Sequence, residues 1–522
     1  MRRSRVLLFV VLAAVLVTAA CSSSSSPEAG DEDAGPTSTG EPATTTTAAT
    51  FDPAAVGEVT VEGPITGGAG EAVLAQGVPD LAAAGYVEEE FFVSGTASSY
   101  TSAEPLTSDG DWTVEPDEAA DYTTRILVRR PADAARFDGT VFVEWLNVTG
   151  GLDAAAVFTQ AQVEWLRSGA AWIGVSAQSA GISGEGGLGS ALRLQNADPV
   201  RYAALSHPGD NFSYDLFSQV GGAVHTQADT VLGGLEPERV IATGESQSAF
   251  RLSTYVNAIA PRDHVYDGFL IVSRSADGAA LSAPPQADVP APSPTLVRED
   301  LDVPVLVFTS ETDSAGGAGY AAARQPDTDR FRGWEVAGTA HYDAYGLTVG
   351  GSDDGSGATD VALFDAMSDP PSAIYGNIIA CDRPFNAGPF TYVIRAASAA
   401  LDQWARTGDA PPEMPRIELD DATDEVVTDG DGIAVGGIRT PQVDVPVAVL
   451  SGSGQPPNGF CGLFGTTAPF DADELTDRYP DHDAFVEAWD AAVDDAVAAG
   501  AMLEADAENV KAAAARSSVP AR

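Results

Sequence analysis

The residues best suited to chemistry are Gly244-Glu245-Ser246-Gln247-Ser248. They follow the apolar run Arg239 to Thr243 and precede a helical pattern from Ser248 to Ile259. A serine at so sharp a strand-to-helix turn is lifted above the sheet edge, and the turn demands small neighbours. Gly244 supplies one, and Ser248 stands where glycine is usual. At the helix N-terminus the dipole and the unpaired backbone N–H groups favour developing negative charge. The chemistry this allows is attack by the Ser246 hydroxyl on a carbonyl, through an acyl-enzyme. The alternative use of a serine there is as an ordinary helix cap.

A serine nucleophile needs a base, and in this context the order along the chain is serine, acid, histidine. Five histidines are available. His207 and His225 precede Ser246, His264 ends the following helix, and His482 opens an acidic tail helix. His341 follows a predicted strand, Phe331 to Val336, and is the candidate base. The acid belongs at the tip of the preceding strand, Val303 to Thr309, which runs into Ser310-Glu311-Thr312-Asp313. Asp313, a few residues beyond the strand end, is the first choice and Glu311 the runner-up. The oxyanion donors are expected from the Gln247 N–H and from Asn147, Val148, Thr149 or Gly150, in the loop after the strand Thr140 to Leu146. Paired glycines, Gly150 and Gly151, permit close backbone approach there.

These groups need a scaffold. Gly85 to Tyr100 and Asp121 to Pro131 read as strands, from the aromatic and β-branched density of Tyr86 to Val93 and Tyr122 to Val128. Thereafter short, largely apolar strands (Thr140 to Leu146, Ala171 to Ser176, Arg239 to Thr243, Gly268 to Val272, Val303 to Thr309) alternate with helical segments. The helices are expected over 153–168, from about Asn211 to Leu232, and over 248–259. Such alternation predicts an α/β fold, with a mostly parallel sheet covered by helices on both faces. Ala276 to Asp302 is a Pro- and Ala-rich excursion. Beyond His341 the chain predicts a helix over 392–406, a β-hairpin from Asp424 to Val449 and two terminal helices. The tail and the 276–302 excursion are the candidates to roof a pocket.

With these residues in place the chain resembles an α/β-hydrolase, and more narrowly a family of exported bacterial α/β-hydrolase-domain proteins. The stretches that carry the likeness are Val143–Gly151, Ser206–Gln219, Ala242–Ala249, Tyr266–Phe269 and Gly437–Pro446. The last implies that the tail belongs to the same domain, which would run from 51 to 522. The resemblance implies serine-hydrolase chemistry without organic cofactor or metal, and leaves the substrate open. A carboxylic ester is the first reading. An amide or peptide asks for the same residues. A non-catalytic surface-binding lipoprotein is the reading from another class.

The chain has 522 residues, Lys+Arg 27 against Asp+Glu 76, and a net charge of −49. That balance excludes nucleic acid or an anionic membrane surface as an electrostatic partner. At the N-terminus, Arg2, Arg3 and Arg5 precede the apolar stretch Val6 to Val17 and the small residues Ala19 and Ala20. Residues 1–20 thus read as a secretory signal, too short for an ordinary membrane span. Ala19-Ala20-Cys21 resembles the cleavage site of bacterial lipoprotein signals, although Thr18 stands where Leu or Val is preferred. This implies a lipid on Cys21 and a cell-surface, membrane-anchored protein; a plainly secreted one is the alternative. Residues 21–50, rich in Ser, Thr, Pro and Ala, form a disordered tether. In an exported protein the two remaining cysteines, Cys381 and Cys461, are expected to pair. Two motif matches are decoys. Gly184 to Gly189 fits G-x-G-x-x-G but comes too late after its strand for a dinucleotide site. Asp429-Gly430-Asp431-Gly432 lacks the remaining positions of a calcium loop.

Overall fold

The computed structural model describes residues 51–184, 189–315, 319–456 and 459–520. The signal segment, Cys21, the tether and most of the 184–189 glycine motif lie outside them. Nine strands form one sheet: β1 (Thr60–Glu62), β2 (Tyr86–Thr101), β3 (Glu115–Pro131), β4 (Thr140–Trp145), β5 (Ala171–Val175), β6 (Arg239–Glu245), β7 (Gly268–Val272), β8 (Val305–Ser310) and β9 (Phe331–Val336). Their spatial order is β1-β2-β3-β5-β4-β6-β7-β8-β9. The first three strands are joined antiparallel, and β5, β4, β6, β7, β8 and β9 run parallel.

The parallel strands are buried along their whole length, which is why they read as apolar runs rather than alternating ones. Alternate residues serve two helical layers. Val240, Ala242, Phe269, Ile271, Val305 and Val307 pack with Leu216, Phe217 and Tyr255 from the helices Ser213–Thr226 and Gln247–Ala258. Ile241, Leu270, Leu306 and Phe308 face the other way, onto Phe158, Trp165, Phe390 and Trp404. Those four come from the helices Ala156–Ser168 and Phe390–Thr407.

The C-terminal extension packs on this domain. Its own core joins Phe364, Leu450, Phe485, Trp489 and Val510 to Tyr392. Tyr392 lies two residues along the helix whose Phe390 faces the sheet, and so on its other side. Three local expectations are corrected. No hairpin spans Asp424 to Val449: up to Ile438 that stretch makes only isolated bridges, Leu419 with Val426, Thr428 with Ala434, Ile417 with Gly436 and Val336 with Ile438. The strand Ala448–Ser451 pairs instead with Thr466–Pro469. The chain ends in three helices rather than two: Ala472–Arg478, His482–Ala498 and Glu504–Arg516. The expected helix from Asn211 to Leu232 is broken at Gln227, after Ser213–Thr226. Cys381 and Cys461 form a disulfide. No helix among the described residues is long and apolar enough to cross a membrane.

Candidate active site

Parallel register brings the carboxyl ends of β4, β6, β8 and β9 to one edge, where Glu144 pairs Thr243, Glu245 pairs Val272 and Ser310 pairs Val336. Loops leaving that edge are where an open α/β sheet places its ligand. Ser246 leaves β6 with φ 60° and ψ −121°, a conformation an L-residue adopts only under constraint. The constraint is visible: its N–H donates to Val272 O at 3.0 Å and its carbonyl accepts from Phe250 N at 3.1 Å. Its side chain makes no capping bond to the helix, so it is not spent as an ordinary N-cap. A Cβ on Gly244 would lie 3.0 Å from Ser248 Cβ and 3.1 Å from Leu252 Cδ1, which explains the glycine.

His341 Nδ1 lies 2.5 Å from Asp313 Oδ1. Asp313 is itself fixed, its Oδ2 accepting from Ser310 N at 2.9 Å and Ser310 Oγ at 2.7 Å. Glu311, the runner-up, points elsewhere. It accepts from Gly338 N, Gly452 N and Ser451 Oγ, each at 2.9 Å, and so ties the His341 loop to the C-terminal extension. The other histidines bond backbone carbonyls or surface carboxylates away from Ser246. His207 reaches Ala177 O, His225 reaches Val265 O, His264 sits 3.7 Å from Asp302, and His482 reaches Val519 O.

Of the four loop residues proposed as oxyanion donors, two are excluded. Asn147 N–H donates to Ala154 O and Thr149 N–H to Asn147 Oδ1. Asn147 instead fastens the loop to the elbow, its Nδ2 donating to the Glu245 carbonyl at 2.9 Å. The Val148 and Gly150 amides remain, with Gln247 N–H in the first turn of its helix.

Glu245 is the residue the sequence reading missed. Its carboxylate is buried, and Oε1 lies 3.8 Å from His341 Nε2. Burial raises the Glu245 carboxyl to about 7, against the pull of His341. For His341, burial disfavours the imidazolium, but the Asp313 carboxylate and then Glu245 outweigh it and push the pKa up to about 9. The only signal in the sequence was an acidic residue inside the tight turn, and the turn says nothing of where its side chain goes.

Ser246 and His341 open into one cavity of about 510 Å³. Its walls include Ala72, Val73 and Leu74, Leu152, Leu347, Ile378, Ile379, Phe460, Leu463 and Phe464, and among the described residues neither lysine nor arginine lines it. The extension contributes as expected, whereas the 276–302 excursion does not line the cavity. The 69–76 wall was not foreseen. Buried Arg125 holds it, bonding Val73 O from a site where it also pairs with Asp153 at 2.6 Å. Gln76 Oε1 accepts from Ala155 N. No cluster of metal-ligating side chains occurs among the described residues. Asp431 of the calcium-like motif pairs with Arg478, and Asp429 accepts from Asp431 N and Ile433 N, as in a turn.

No curated protein sequence matches the chain. Among solved structures it is similar to the esterase Est22, at 12% identity and a TM-score of 0.25, over 44% of this chain and 65% of that one. It is similar to a Rhizomucor miehei esterase at 12% and 0.25, over 50% and 76% of the two chains. An alpha-beta serine hydrolase homologue from Coxiella burnetii matches at 11% and 0.26, over 42% and 85%. A family model for the alpha/beta hydrolase domain matches residues 61–512. With most of its length in that match, the chain belongs to the alpha/beta hydrolase domain family.

Proposed function

We propose that the protein is a serine hydrolase acting on neutral carboxylic esters. The observation that carries the reading is the pairing of His341 Nδ1 with Asp313 beside a constrained, uncapped Ser246 in one cavity. With Nδ1 committed to Asp313, Nε2 is the nitrogen left to take the Ser246 proton. Ser246 Oγ attacks the ester carbonyl. The oxyanion is met by Gln247 N–H and by the Val148 or Gly150 amide. His341 returns the proton to the leaving alcohol, and water, activated by the same imidazole, releases the acid. Asp313 holds the tautomer and stabilises the imidazolium.

The test is labelling of the purified protein with a fluorophosphonate, followed by peptide mapping. An adduct on Ser246 is expected, together with ester hydrolysis. Ser246→Ala should abolish both, and His341→Ala should slow labelling by about three orders of magnitude or more. Folded protein that takes no label would refute the enzyme reading. Parallel assays on a matched ester and anilide decide between esterase and amidase. From the sequence we also propose export and anchoring by lipid on Cys21. Detergent-phase partitioning of the expressed protein, lost in Cys21→Ala, is the expected result.

A further inference from the structure

Two of the cavity's walls come from segments with little regular structure of their own. Ile378 and Ile379 lie at a pair of two-residue strands, Ala373–Ile374 and Ile379–Ala380. Phe460, Leu463 and Phe464 lie in and just after the short 3-10 turn Gly459–Leu463. Strand pairs this short do not hold a conformation unaided. The disulfide sits between them: Cys381 is two residues from Ile379, and Cys461 is next to Phe460. The wall adjoins the reacting histidine, since Leu463 O accepts from Tyr342 N, one residue after His341.

We propose that the Cys381–Cys461 disulfide is a specificity element, which joins two apolar segments into one wall of the Ser246 cavity and directs the enzyme to esters with a medium-length apolar chain. The inference rests on the serine-hydrolase reading. The wall is made of five apolar side chains, and among the described residues no lysine or arginine lines the cavity to hold an anionic group. Each methylene buried against such a wall adds several-fold to the specificity constant, so a chain of about eight carbons reads the wall where an acetyl group does not. Both cysteines are partly exposed, within reach of a small thiol. Opening the bridge by dithiol reduction transfers two electrons and two protons to the cystine and leaves the dithiol as a cyclic disulfide.

The experiment compares kcat/KM for p-nitrophenyl octanoate and acetate in the oxidised protein, in protein reduced by dithiothreitol, and in the Cys381→Ser/Cys461→Ser double variant. Two free thiols must appear on reduction of the Cys381–Cys461 pair. Opening the bridge should lower the octanoate constant at least about tenfold. Acetate hydrolysis should change less than about twofold, and Ser246 should still take the fluorophosphonate. An unchanged octanoate-to-acetate ratio would overturn the proposal, and so would a parallel loss of both. If the double variant fails to fold, Ile379→Ala and Leu463→Ala in the oxidised protein serve instead, and each should lower the ratio. Failure of the underlying reading looks different: oxidised protein that hydrolyses neither ester and takes no label.

Discussion

At the scale of single residues, Glu245 and Asp313 face the two nitrogens of one imidazole, and both favour its protonated form. A general base must be neutral, so kcat/KM for an ester should rise with pH through about 9 rather than level off below neutrality. Glu245→Gln removes one of the two charges. The imidazolium is then less favoured, and the rising limb should move to lower pH by about one unit. The plateau should fall several-fold, because the same charge stabilises the imidazolium formed during attack. A limb that stays in place would show that the Glu245 carboxylate is not felt at His341. The two acids near the base separate in the same way. Asp313→Asn should cut kcat by about 10³ or more with little change in KM, because the amide cannot hold the required tautomer. Glu311→Gln should leave kcat within about tenfold and act on stability, since Glu311 bonds Gly338, Gly452 and Ser451 rather than His341. Kinetics beside thermal melts of the two variants decide the assignment. The sequence ranked Asp313 first from its distance past the strand end, but it could not place Glu311. Two of that side chain's three partners lie about 140 residues away, in the tail.

Elements divide into those a local pattern specifies and those it does not. The parallel strands were legible because burial on both faces leaves an apolar run that only a covered sheet explains. The elbow was legible because strand, small residues and helix come consecutively. The Asp424 to Val449 hairpin failed because turn residues announce a reversal without naming the partner, and Ala448–Ser451 finds its partner after an intervening loop. The 69–76 wall left no periodic signal, since charge and hydrogen bonds to Arg125, Tyr202 and Ala155 hold it. Glu144 is the strongest case of a non-local role. It is a buried carboxylate in an apolar strand, lifted to about 7 by burial, against the donors Trp172 Nε1, Val157 N and Phe158 N. It therefore docks the N-terminus of the Ala156–Ser168 helix and the β5 indole onto β4. Glu144→Ala would strand three buried donors, so a loss of about 2–4 kcal/mol is expected. Urea unfolding monitored by tryptophan fluorescence measures it. A loss under 1 kcal/mol would mean that water replaces the carboxylate there.

On the scale of the whole molecule, the charge bears on which esters arrive. The chain carries −49, and its cavity is lined by Glu71 and Glu245 but, among the described residues, by no lysine or arginine. An anionic substrate must approach through a negative field and then finds no cation to replace its lost hydration. The field is screened by salt: the Debye length falls from about 30 Å at 0.01 M to about 3 Å at 1 M. Two p-nitrophenyl esters of equal length separate these effects, one ending in a methyl group and the other in a carboxylate. At low salt the carboxylate ester should show a kcat/KM at least about tenfold lower. Raising the ionic strength should recover part of that, by roughly three- to tenfold, through association rather than chemistry. The methyl ester should change less than about twofold. What salt does not restore measures the missing cation in the cavity, because a buried contact is little screened. Equal constants for the two esters at low salt would mean that the carboxylate never meets the field, and that the substrate's far end projects into solvent rather than against the apolar wall.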